Sequence, residues 1–99
     1  MLYSLTEKLN FEDSPQIQIK DKIITVKDDA EVALKLVDVL DNEGEMQATV
    51  KAAELLFSPK DQKIIKDLKL NMSDYTILLR TAIALCLGND PDEDDDSEK

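Results

Sequence analysis

The stretch NMSDYTILLRTAIALCLG, residues 71–88, decides the fold. Asn71 and Ser73 both carry a side-chain oxygen that can accept from an orphan helix N–H, so a helix is predicted to open near them. It should run to Leu87, where Gly88 can take the left-handed position that ends a helix. Tyr75, Leu78, Leu79, Ala82, Leu85 and Cys86 fill one broad face, yet Ile77 and Ala84 fall on the opposite side, between Arg80 and Thr81. A helix that is apolar nearly all round is buried on more than one side. In a chain of 99 residues only one helix can be central. Either this is that helix, or its back is a second face meant for another chain.

Working upstream, Ser58-Pro59 resets the chain, because Ser caps and Pro is tolerated at the first helical position, with Asp61 favourable in the first turn. The short helix that follows, about 59–69, has only Ile64, Ile65 and Leu68 to bury. Before it, a helix over about 45–57 places Met46, Val50, Ala53 and Phe57 on one face. Asp41-Asn42-Glu43-Gly44 is the preceding break, since Gly and Asn tolerate a left-handed C-terminal position. The first helix, about 29–41, is expected to be capped by Asp28 with Glu31 reaching back, and carries Ala33, Leu36, Val37 and Leu40 as its stripe, widened by Val32 and Val39. Residues 16–27 alternate as a hairpin does. A two-residue loop at Asp21-Lys22 would set Ile19 opposite Ile24 and Ile17 opposite Val26, making one side apolar. Ser4-x-x-Glu7 is a capping pattern in a segment too brief to assign.

The fold class expected is therefore mainly α with a small N-terminal β-hairpin (α+β), about four helices in a single compact domain over residues 1–88. Composition shifts sharply after Gly88. Residues 89–99 hold seven acids, one Lys and no apolar side chain, so nothing there can offset chain entropy and a disordered acidic segment is expected. The first 88 residues carry 15 acids against 11 bases, so the body is far less acidic than the whole chain at −10.

These counts exclude several classes. A net charge of −10 repels nucleic acid phosphates, so direct DNA or RNA binding is not expected. There is no His and a single Cys, which removes the usual neutral-pH acid/base, the commonest zinc ligand and any intrachain disulfide. No Gly-rich loop exists to hold phosphate, so neither catalysis nor a cofactor is expected. No apolar run approaches the roughly 20 residues that span a bilayer, and a soluble protein of a reducing compartment is expected. The run Asp90 to Asp96 lacks the Gly and the spaced Glu of a calcium loop, and reads as a solvated segment rather than a metal site. Cys86 on the apolar face reads as a packed small hydrophobe. Leu34 is an oddity, seated among Glu31, Lys35 and Asp38 in the polar sector of the first helix. One exposed Leu is ordinary. Taken with Ile77 and Ala84, it belongs to a set of apolar residues that a single core does not require, and these three are the candidate self-association or client-binding residues.

The stretch SPKDQKIIKDLKLNMSDYTILLRTAIALCLG, with its Leu68-Lys69-Leu70 hinge, its Asp74-Tyr75 opening and its Leu/Ala-rich helix ending in Gly before an acidic segment, resembles the tail assembly chaperones of long-tailed phages and Gram-positive prophages. The upstream IQIKDKIITVKDDAEVALKLVDVL looks like the same family's hairpin and first helix. The resemblance implies a non-catalytic protein of the bacterial host cytoplasm. It would coat the apolar tape measure protein during assembly, self-associate into an oligomer or spiral, contact the tail tube protein, and be absent from the mature virion. It also implies that a longer form can arise by frameshifting near the acidic end. The alternative from another class is a small acidic inhibitor or nucleic-acid mimic acting on a DNA-binding protein. Against that alternative, six of the ten surplus negative charges lie in the terminal segment rather than on a rigid face.

Overall fold

The computed structural model describes residues 1–2, 4–5, 9 and 14–89. Glu7 of the Ser4-x-x-Glu7 pattern and the acidic segment beyond Asn89 lie outside the described residues. An antiparallel hairpin, β1 (Gln16–Ile19) and β2 (Lys22–Thr25), is followed by four helices: α1 (Ala30–Asn42), α2 (Glu45–Leu56), α3 (Pro59–Leu68) and α4 (Met72–Cys86).

The hairpin exists with a different register from the one its alternation suggested. The loop is Lys20-Asp21, so Ile19 pairs with Lys22 and Ile17 with Ile24. Lys20 takes φ +56°, and the turn tightens one residue earlier than expected. The apolar side survives because the partner of each residue moves by two positions, which preserves the alternation of faces. Ile24 and Val26 are fully buried, while Ile17 and Ile19 pack on the core from its edge. Two bonds tie this hairpin to the helices: the Lys27 amide donates to the Leu56 carbonyl at 2.9 Å, and the Thr25 amide donates to Asp61 Oδ2 at 3.1 Å.

Helix α1 begins one residue later than its capping pattern implied. Asp29 is the N-cap and its side chain accepts no capping bond, while the Asp28 carboxylate instead accepts from the Ser14 hydroxyl at 3.1 Å. The expected box with Glu31 is therefore not formed. Nor does the break before α2 use a left-handed residue: α1 runs through Asn42, Glu43 is its extended C-cap, and Gly44 sits at φ −66° as the N-cap of α2.

Two helix starts match the sequence. Ser58 accepts from the Asp61 amide at 3.2 Å with Pro59 in the first turn of α3, and Asn71 accepts from the Asp74 amide at 2.8 Å at the start of α4. Each satisfies one of the orphan donors of a helix N-terminus. Lys69, at φ +53°, reverses the chain between α3 and α4 within the Leu68-Lys69-Leu70 hinge. At the other end of α4 the Asn89 amide donates to the Ala84 carbonyl and the Gly88 amide to that of Leu85, with Gly88 at φ +81°. This is the paired pattern that closes a helix on a left-handed glycine.

The core gathers Ile24 and Val26 from the hairpin end, Leu36 from α1, Ala52, Leu56 and Phe57 from α2 and its cap, Ile65 from α3, and Leu78, Leu79, Ala82 and Cys86 from α4. Helix α2 departs most from expectation. Its buried stripe is Ala48, Ala52 and Leu56, whereas Met46 and Val50 stand 68% and 56% exposed. Small side chains at 48 and 52 let helix axes approach closely, which bulkier Val50 and Met46 would prevent. On α1 only Leu36 is buried, and Val37 and Leu40 from the expected stripe are largely exposed.

Candidate functional site

The stripe Met46, Val50, Ala53, Phe57 does share one face of α2, as helical spacing requires. The stripe is split: Phe57 at its end is fully buried in the core, Ala53 is half-buried, and Met46 and Val50 stand on the surface as a short apolar track. The stripe's first half lies in a shallow depression of about 440 Å³ bordered by Gln47, Lys51 and Glu54. Its second half, Ala53 and Phe57, enters a groove of about 420 Å³ between α2, α3 and the start of α4. Ile65, Leu70, Met72 and Tyr75 complete the apolar lining there, and Lys66, Lys69 and Gln62 bring polar groups to it. The capped starts of α3 and α4 and the left-handed Lys69 set these walls at an angle to each other. Gln62 Nε2 donates to the Phe57 carbonyl at 2.8 Å, which fixes the junction of α2 with α3. Burial pushes the Tyr75 phenol above its ordinary pKa, so it faces the groove as a neutral group.

A second groove of about 280 Å³ separates the hairpin from α4, lined by Ile17, Ile19, Leu70, Asp74, Ile77, Leu78 and Thr81. A third, about 440 Å³, lies where Leu40 of α1 meets Ala48 and Ala52 of α2 and Leu79 and Ile83 of α4. Thus α4 is central, contributing to the core and bordering all three grooves, while its Ile77 remains 58% exposed.

The three residues singled out from sequence separate. Leu34 is 72% exposed and lines none of these grooves, whereas Ile77 borders the hairpin groove, which shares Leu70 with the α2–α3–α4 groove. Ala84 is only 7% exposed, so its reading as an outward-facing surplus residue is corrected. That side of α4 is covered within the fold at this turn, as expected of a central helix that is apolar nearly all round. Met46, Val50 and Met72 were missed as surface apolar residues. The signal lay in α2 itself, which has two apolar stripes, and only one can face inward.

Charge is unevenly spread over this framework. Residues 28–57, spanning α1 and α2, hold eight acids against two bases, whereas residues 16–27 and 58–70, the hairpin and α3, hold seven bases against three acids. The ion pairs are exposed and local, such as Glu31 with Lys35 at 3.6 Å and Glu43 with Lys51 at 3.0 Å. Cys86 is buried, and burial first, then the carboxylates of Asp28 and Asp29, push its thiol above the usual pKa. It is a protonated packing residue at neutral pH. Among the described residues, no group of three or more His, Cys, Asp or Glu is placed to hold a metal ion, and no helix is long and apolar enough to cross a membrane. No family model, curated protein or solved structure compared with the chain matches it.

Proposed function

We propose that this protein is a non-catalytic tail assembly chaperone of a phage or prophage, which binds the tape measure protein and self-associates during assembly. The observation that supports this most is the α2 track, the exposed pair Met46 and Val50, whose stripe continues through half-buried Ala53 to the α2–α3–α4 groove. A chaperone for a long apolar helix needs such a surface on a folded, highly charged body, because apolar anchors at helical spacing lay into a groove of this kind. Lys66 and Lys69 at the groove would set its orientation by pairing with acids on the client. The protein would act in the bacterial host cytoplasm and leave before the virion matures.

Co-purification with an apolar helical fragment of a tape measure protein is the direct test. Met46→Asp and Val50→Asp should each abolish capture with the fold intact by circular dichroism. Failure of the parent chain to capture any such fragment refutes the reading. A second reading, the acidic inhibitor of a DNA-binding protein, gains support from the ordered acidic stretch of residues 28–57, which carries a net −6 independent of the terminal segment. It is favoured only if the chain displaces DNA from a basic partner.

A further inference from the structure

We propose that copies of this chain join head to tail, with α1 of one copy seated in the hairpin–α4 groove of the next so that Leu34 meets Ile77. The inference deepens the self-association in the proposed function and rests on it, and it assigns that association to two surfaces that do not include Met46 and Val50. Within one copy Leu34 and Ile77 do not share a groove, yet both are large, apolar and mostly exposed, at 72% and 58%. Leu34 projects from α1 with Val37 on one side and Glu31 and Asp38 on the other, one helical turn away. The groove offers Ile17, Ile19, Ile77 and Leu78 as an apolar seat.

Charge decides the mode of pairing. Residues 28–43, the α1 segment, hold six acids and one base, so two copies pairing through α1 would bring two acidic segments together, with Glu31 and Asp38 beside Leu34 on each. Like charges brought together across an interface oppose association. The hairpin, by contrast, carries Lys20, Lys22 and Lys27 against Asp21. Lys22 pairs with Ile19 across the strands, and so shares the face that borders the groove. Asp74 is the one charged residue in the groove lining, and Lys22 on the bordering hairpin face offsets it, so this seat does not repel α1 as a second α1 would. Two different surfaces that fit each other make a heterologous contact, which builds an open chain, or a ring if the rotation closes.

The test uses the full chain. Leu34→Asp destroys one half of the contact and Ile77→Asp the other, and both positions are exposed enough to leave the fold intact. By light scattering, the parent should exceed dimer mass as concentration rises and should fall back with added salt. Each variant alone should stay monomeric, with association weakened at least tenfold. An equimolar mixture of the two variants should form a heterodimer and nothing larger, because only one intact knob and one intact groove remain between them. A mixture that stays monomeric, a parent that is monomeric at millimolar concentration, or variants that associate as the parent does would each overturn the inference. Should either variant unfold, Leu34→Ala and Ile77→Ala carry the same readouts. Capture of the tape measure fragment by the Leu34→Asp monomer is measured alongside. Retained capture with failed complementation rejects this interface alone, whereas lost capture by the parent rejects the functional reading.

Discussion

Leu56→Ala and Val50→Ala, made in the full chain, should differ by about 3 kcal/mol although both shorten an aliphatic side chain on the same helix. Leu56 is fully buried between Ala52 and Phe57 in the core cluster. Its truncation loses the transfer free energy of the deleted carbons and leaves a cavity, together about 3 kcal/mol within the usual range of 2–5. Val50 is 56% exposed, so it loses little burial, and its replacement by Ala gains helix propensity of about 0.5 kcal/mol. In a domain of this size about 1 kcal/mol shifts Tm by roughly 4–8 °C. Leu56→Ala should therefore lower Tm by roughly 12–24 °C, while Val50→Ala moves it by less than about 4 °C. Thermal melts followed by far-UV circular dichroism measure both. A fall of more than about 10 °C for Val50→Ala would mean that Val50 faces the core as Phe57 does and that the surface track does not exist.

Gly88→Ala should destabilise by about 1 kcal/mol because Gly88 holds φ +81°, whereas Gly44→Ala should stay within about 0.5, since Gly44 sits at φ −66° with no atom within 4 Å of an added Cβ; urea titrations separate the two. Ser58→Ala and Asn71→Ala should each lose about 1 kcal/mol of stability, and Asp29→Ala less, because only the first two side chains accept a capping bond. The Cys86 thiol, whose pKa is raised in the folded chain, should react slowly with an alkylating agent until the protein unfolds. The unfolded chain loses that proton first as pH rises, so stability should decline above the ordinary thiol pKa, and in Cys86→Ala this part of the decline should vanish from pH-dependent melts. Truncation after Asn89 should leave Tm unchanged, because no apolar residue follows Gly88; a drop of more than about 5 °C would show that the acidic segment contributes to folding.

Local chemistry was legible in the chain by itself. Ser58-Pro59, Asn71 and Gly88 marked helix ends because each satisfies orphan backbone groups or a left-handed turn through its own side chain or its lack of one. The hairpin's apolar side was legible for a similar reason: strand alternation survives a two-residue change of partner. Leu34 and Ile77 could be picked out because each lies off the apolar stripe of its own helix. What the tertiary structure decided was which of several apolar faces turns inward. On α2 the stripe from Met46 to Phe57 is the stronger hydrophobic signal, yet only Phe57 of it is fully buried, and Ala48 and Ala52 take the interior in place of Met46 and Val50 because close approach to a neighbouring helix depends on small side chains. The cap of α1 moved to Asp29 as Asp28 took a partner fourteen residues away in Ser14. The lysine-edged groove likewise joins segments distant in sequence, from Ala53 to Tyr75, whose meeting depends on how helices pack rather than on any residue's local preference.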